Sequence, residues 1–220
     1  MGFWDYRRWR DDSWPEASGP AKPAAAETGR ADPDLAIQKE RLIQARIDLE
    51  RFEYFYEQFY PQIMRFCYRN VWHRDEAEDL AAETFQAAME NLSKFRWQGI
   101  SFGAWLYRIA SNRIKKWHWK QANHPQCPLP ENLLGEVLLI GDEPDPERRL
   151  EIAQECDRLS RYMSRLNADD RIYLNLHYQE GLSTREISVI ADKKWGTIAS
   201  RISRARKKLQ ALADEDDERS

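Results

Sequence analysis

Cysteine is scarce in this chain, and the three present do not pair. Cys67, Cys127 and Cys156 lie in separate stretches with no disulfide framework between them, so a reducing cytoplasm is the expected compartment. Long apolar runs are missing as well, which excludes a membrane-spanning helix and membrane insertion. The first residues include Trp4, Asp5, Arg7 and Arg8 where a secretory leader needs an apolar centre. Catalytic signatures are absent too: there is no glycine-rich phosphate loop, no His-Glu-x-x-His helix and no nucleophile elbow. His118, His124 and Cys127 are near neighbours but lack a fourth ligand at a suitable spacing, so no metal is expected. His73 and His177 stand alone, and the adjacent carboxylates Glu78 and Asp79 do not face one another on a helix. These absences leave no catalytic residue and no cofactor to assign. The expectation is a soluble cytoplasmic protein that is not an enzyme and works by binding.

What is present is charge, sorted by segment. The formal net charge of -3 hides the sorting. Between Asn91 and Pro130 there is no acidic residue, while Lys94, Arg96, Arg108, Arg113, Lys115, Lys116 and Lys120 are all there. Acids gather instead at Asp75 to Glu90, at Asp142 to Glu155 and in the tail Asp214 to Glu218. Such segregation points to two kinds of partner surface, one of them polyanionic.

The clearest pattern runs from Leu182 to Leu212. Ser183 and Glu186 have the capping-box spacing that starts a helix. Ile187, Val189, Ile190 and Ala191 supply its short apolar face, and Asp192-Lys193-Lys194 breaks the pattern. A second helix begins near Trp195, with Ile198, Ile202, Ala205, Leu209 and Leu212 on one stripe. Its other face carries Thr197, Ser200, Arg201, Arg204 and Lys208. Short helix, tight turn and longer helix with an Arg/Ser/Thr face read as a helix-turn-helix that enters the major groove of DNA. The competing reading is a solvated basic helix in an ordinary bundle.

In chain order, residues 1–33 are rich in Pro, Ala, Gly and charge and are expected to be disordered, with Trp4, Trp9 and Trp14 isolated in them. Residues 34–51 form an extra amphipathic helix, with Leu35, Leu42 and Leu49 one heptad apart. Phe52, Phe55, Phe59, Ile63 and Phe66 continue a helical stripe in which Pro61 should start a second helix or kink the first. Asp75 heads a helix with Leu80, Ala81, Thr84, Phe85, Ala88 and Leu92 inward and Glu76, Asp79, Glu83 and Glu90 outward. Ser101 caps a helix to about Ala122 whose buried stripe is Phe102, Trp105, Leu106 and Ile109, leaving Trp97, Trp117 and Trp119 open. Basic residues interleaved with aromatics suit single-stranded nucleic acid. Residues 123–146 read as a Pro/Gly linker that reaches roughly 80 Å at 3.3–3.6 Å per residue, so the two halves need not touch. Ile152, Cys156, Leu159, Met163 and Leu166 then share a stripe, Asn167 caps a helix through Tyr178, and Gly181 stops it. The tail 213–220 is acidic and expected to be disordered. The fold class is all-α: two small helical domains joined by a flexible linker, the second a helix-turn-helix.

Three stretches carry a family resemblance. DEAEDLAAETF (75–85) looks like the signature of conserved region 2 in bacterial sigma factors of the extracytoplasmic-function (group IV) type. FGAWLYRIASNRIKK (102–116) resembles the adjoining region 2.3–2.4, and residues 166–209 are similar to region 4. The resemblance spans residues 52–212 and implies a sigma-70 family factor that brings core RNA polymerase to promoters. It implies that residues 52–122 bind polymerase through Asp75, Glu78, Asp79, Leu80, Glu83 and Phe85, as interface or scaffold. The same domain would engage the -10 element through Lys94, Arg96, Trp97, Asn112, Arg113, Lys115 and Lys116, the 94–101 loop taking a flipped base. Residues 147–212 would read the -35 element through Arg185, Lys194, Thr197, Ser200, Arg201 and Arg204. Partners implied are core RNA polymerase, promoter DNA and an anti-sigma factor. Ser188, the Asp192–Trp195 turn, the missing acid in the 94–101 loop and the long N-terminal extension depart from the family pattern. A free-standing helix-turn-helix regulator and a sigma-like adaptor that does not initiate are the rival readings.

Overall fold

Aromatic residues at helical spacing organise the first half of the chain. The structure, a computed structural model, describes residues 33–95, 101–123 and 158–218, which among themselves form helices and short connections. The expected N-terminal arm and nearly all of the 123–146 linker lie outside them, as do Ile152 and Cys156.

Helix α1 (Pro33–Ile47) starts on a proline, which suits a first helical position because that N–H has no partner in any case. It buries Leu42 and Ala45. Arg46 fastens it to the short turn Leu92–Lys94 by donating to the carbonyls of Leu92, at 3.2 Å, and Phe95. A 3-10 turn (Leu49–Phe52) leads into α2 (Glu53–Val71). Pro61 neither starts a new helix nor ends this one, because α2 continues through it. Phe55, Phe59, Ile63 and Phe66 are buried on both sides of the proline while Pro61 itself is exposed, so the shared apolar face outweighs one lost hydrogen bond.

Trp72 turns the chain through the left-handed region (φ 60°), and the His73 ring accepts from the Glu76 N–H to open α3 (Arg74–Glu90). Leu80, Ala81, Thr84, Phe85 and Ala88 point inward, as the spacing predicts, and Ala77 joins them. Ser101 caps α4 (Phe102–Asn123) through a 3.1 Å bond from the Ala104 N–H. Phe102 is the hub: its ring lies 4.7 Å from Phe55, 5.9 Å from Phe59 and 6.2 Å from Phe52, tilted or edge-on. Gly103 lets α4 come this close, since a Cβ there would sit 2.8 Å from a Phe59 ring carbon. Trp105 and Ile109 are only half-buried; the fully packed positions are Phe102, Leu106, Ala110 and Ile114.

The second half begins with helical residues 158–164. Asn167 accepts from the Asp170 N–H at 2.8 Å and caps α5 (Ala168–Leu174), which loosens into a π-helical turn (Asn175–Gln179) before Gly181 reverses the chain at φ 69°. Helix α6 (Thr184–Ala191) has both halves of its capping box, between Ser183 and Glu186. Asp192 takes the left-handed C-cap position (φ 52°), and α7 (Trp195–Asp217) follows. Ile198, Ile202, Ala205 and Leu209 of α7 are buried, as are Ile187 and Ile190 of α6. Val189, expected on the apolar face, is 45% exposed.

The C-terminal tail overturns an expectation. The acidic tail is helical to Asp217 rather than disordered. Arg158 pairs with Asp217 at 2.7 Å, and the Tyr162 hydroxyl donates to Asp216 at 2.7 Å, so the charges have partners that hold the last turns down. The two halves, which the linker's reach leaves free to part, touch here: α2 and α4 pack on α5, the π-helical turn and α6.

Candidate nucleic-acid interface

The buried apolar core runs through both halves, and polar pairs are set into the contact between them. Arg69, in the last turn of α2, pairs with Glu180 at 3.0 Å, and the two side chains are 7% and 10% exposed. The Tyr107 hydroxyl of α4 donates to the other Glu180 oxygen. Burial pushes the Glu180 carboxyl above its ordinary range even with Arg69 beside it, and burial also raises the Tyr107 phenol. Breaking so buried a pair from one side costs about 3–5 kcal/mol. Next to it the Asn70 carbonyl accepts from Arg171 of α5 at 3.2 Å and lies 3.0 Å from the His118 ring. Burial, with the Arg171 charge adding to it, lowers His118 to about 4.

A second junction centres on Asp169. Lys115 of α4 reaches one of its oxygens at 2.9 Å, and Arg201 of α7 reaches the other at 2.9 Å. Arg201 also holds Asp170 at 2.7 Å and Asn167 at 3.1 Å. Burial alone would raise Asp169; the hydrogen bonds and charges of Lys115 and Arg201 outweigh it and keep the carboxyl below its usual range. With a third of their surface in solvent, such pairs contribute roughly 0–1 kcal/mol each.

Several expected site residues are thereby placed. On α3, Asp75, Asp79 and Glu83 are exposed, whereas Leu80 and Phe85 are buried and can only shape the surface from beneath. Glu78 accepts from Arg74 at 2.9 Å and Glu83 from Arg113 at 2.8 Å. The outward Glu76 is tied to α4 by the Trp117 indole N–H at 2.7 Å, which gives that open tryptophan a structural task. Asn112 and Lys116 are exposed on α4, Lys115 is half-buried, and Lys94 is exposed at the end of α3's following turn. Arg96 and Trp97 lie outside the described residues. In the helix-turn-helix, Lys194, Thr197, Ser200 and Arg204 are exposed at the start and outer side of α7, and Arg185 on α6 is exposed too. Arg201 differs, because its guanidinium is engaged inside the domain. Trp195 is 56% exposed, and its indole N–H donates to Thr184 at 2.8 Å, bracing the turn between the two helices.

The sequence reading did not single out Arg69, Asn70, Tyr107, Asp169 or Glu180. One signal was available for two of them. Arg69 and Asn70 stand three and four residues after Phe66, on the continuation of the buried stripe, where polar side chains need partners. Among the described residues no group of His, Cys, Asp and Glu could hold a metal, and no helix is long and apolar enough to cross a membrane. His124 and Cys127 are outside that set.

Comparison with known proteins bears on what these surfaces meet. The family model for Sigma-70 region 2 matches residues 55–124, and that for Sigma-70, region 4 matches residues 151–209. The ECF RNA polymerase sigma factor BldN of Streptomyces coelicolor is 31% identical over 188 residues, covering 84% of this chain and 69% of BldN. Among solved structures, CnrH in complex with the cytosolic domain of CnrY superimposes with a TM-score of 0.60 at 22% identity, over 81% of this chain and 98% of that one. The sigma factor RpoE of Bartonella quintana, in complex with the anti-sigma factor NepR, gives 0.57 at 24% identity, over 74% of this chain and 96% of that one. Both structural likenesses concern the fold.

Proposed function

Because the chain belongs to the extracytoplasmic-function class of the sigma-70 family, we propose that residues 52–122 carry core RNA polymerase and the -10 element while residues 147–212 carry the -35 element. A sigma factor binds core RNA polymerase and directs initiation at promoters; the family works as an initiation factor, without chemistry of its own. The observation that supports this reading most is the order of the two matched regions, each falling on one helical half, with the second ending in a capped helix-turn-helix. A free-standing regulator is not favoured, since it gives the region 2 half nothing to do.

In this reading the exposed carboxylates Asp75, Asp79 and Glu83, with Glu78, form the polymerase-facing side of α3, and the buried Leu80 and Phe85 fix its shape. Asn112, Arg113, Lys115 and Lys116 on α4, with Lys94, Arg96 and Trp97 before it, meet the -10 element. Lys194, Thr197, Ser200 and Arg204 enter the major groove, Arg185 meets the backbone, and Arg201 serves them by holding α7 against α5. An anti-sigma factor is a partner by analogy with RpoE, and the cytoplasm is where this protein acts. Transcription with purified core RNA polymerase on a fragment library tests the reading. Defined new start sites with upstream elements near -10 and -35 are expected. Specific duplex binding without any transcript would establish the regulator instead.

A further inference from the structure

The Arg69–Glu180–Tyr107 cluster lies outside every surface assigned above. Its chemistry is that of an anion pocket: a guanidinium and a hydroxyl, both from the first domain, converge on one carboxylate from the second. The same arrangement recurs along α4. Lys115, eight residues and about 12 Å further on, also takes a carboxylate from the second domain, Asp169. The second domain thus covers two cations of the first domain with its own acids.

This arrangement cannot persist on a promoter. Asp169 links Lys115, on the -10 helix, directly to Arg201, on the -35 helix. The two elements are centred 25 base pairs apart by their own designation, roughly 85 Å at 3.4 Å per pair. The domains must separate to read both, and Glu180 then leaves Arg69. An arginine so well covered in the closed chain needs a new anion or water in its place.

We propose that Arg69 and Tyr107 form a phosphate-binding pocket for promoter DNA, which Glu180 fills in the closed chain. The carboxylate stands in for a backbone phosphate, so closure and DNA binding compete for the same donors. Asp169 does the same at Lys115 with a weaker, more exposed pair. The inference rests on the sigma-factor reading for the source of the phosphate.

The two sides of the ion pair supply the test. Glu180→Gln and Arg69→Gln both break it and both favour separation, but only the second removes a phosphate donor. Since phosphate contacts are independent of sequence, the probe is a fluorescein-labelled 30-base-pair duplex of random sequence, titrated with the full-length chain over a range of salt. Glu180→Gln should bind about three- to tenfold tighter than wild type at low salt. Arg69→Gln should bind more weakly than Glu180→Gln, with a salt slope smaller by about 1. Tyr107→Phe, which keeps the ring against Phe66, should fall on the same side as Arg69→Gln. Equal effects from Glu180→Gln and Arg69→Gln, or an unchanged salt slope, would reduce the pair to a structural contact and overturn the pocket. Core RNA polymerase binding, measured on the same preparations, separates the two levels. Retained core binding with equal slopes rejects only the pocket, whereas no core binding by the wild type rejects the sigma-factor reading and with it the promoter as ligand.

Discussion

Inside the first domain the helices are joined by rings; between the domains the shared apolar core is interrupted by charges. Phe52, Phe55, Phe59, Phe85 and Phe102 interlock at ring distances of 4.7 to 6.4 Å with little or no exposure. The polar part of the interdomain contact is made by Arg69, Glu180, Tyr107, His118, Arg171, Lys115 and Asp169. Buried apolar area has no better alternative than staying buried, while ion pairs can be exchanged for other ions at modest net cost. The ring core is built to last, while the ion pairs between the domains can be exchanged. That suits the proposed reading, in which the halves act on separate DNA elements.

The comparison can be broken most severely in the ring core. Phe55→Ala removes a wholly buried ring and should cost about 3–5 kcal/mol, seen as a large drop in the urea midpoint of the first domain. Gly103→Val should be comparably harmful, because its side chain enters the Phe59 ring. Neither loss should leave the domain native with only its partner released. Glu180→Gln should do that. It weakens closure by about 3 kcal/mol, so the radius of gyration by small-angle scattering should rise while helicity by circular dichroism stays constant. Lost helicity would show that the interface is part of the folding unit.

Acid sharpens the contrast. His118 is held neutral by burial and by the Arg171 charge, with the Asn70 carbonyl and the Trp117 ring as its other neighbours. Its folded value is depressed from 6.5 to about 4, so its support for closure is full above about pH 6.5 and fades as the pH falls toward 4. Glu180, raised by burial, works in the opposite direction. Scattering should therefore show opening between neutral pH and about pH 5, and His118→Gln should remove that dependence. The smallest effect belongs to the helix-turn-helix: Ser183→Ala removes one half of the capping box and should cost about 1 kcal/mol without opening the chain.

Much of the fold was legible because helical spacing reports burial directly. The Leu80–Ala88 face, the caps at Ser101, Asn167 and Ser183, the turn at Gly181 and the Ile198–Leu209 stripe are local patterns, and all of them form. Pro61 begins no second helix, because the stripe is buried on both sides of it. The tail misled because the partners of Asp216 and Asp217, Arg158 and Tyr162, lie more than fifty residues upstream. The expected site residues follow from family motifs, and most of them are exposed. What no local pattern could reveal is the pairing across the domains, since Arg69 and Glu180 are 111 residues apart. Arg201 shows the same limit: its spacing put it on the outer face, but two aspartates of α5 hold it inward.

A sigma factor that rests closed through these ion pairs and opens on its promoter must lengthen the distance between its halves there. The direct measurement is energy transfer between dyes at Glu90 and Lys207, both exposed, in a full-length chain with Cys127 and Cys156 replaced by serine. High transfer in the free chain should drop to near background once core RNA polymerase and promoter DNA are added, as the domains move toward elements roughly 85 Å apart. Unchanged transfer in the complete initiation complex would contradict the account.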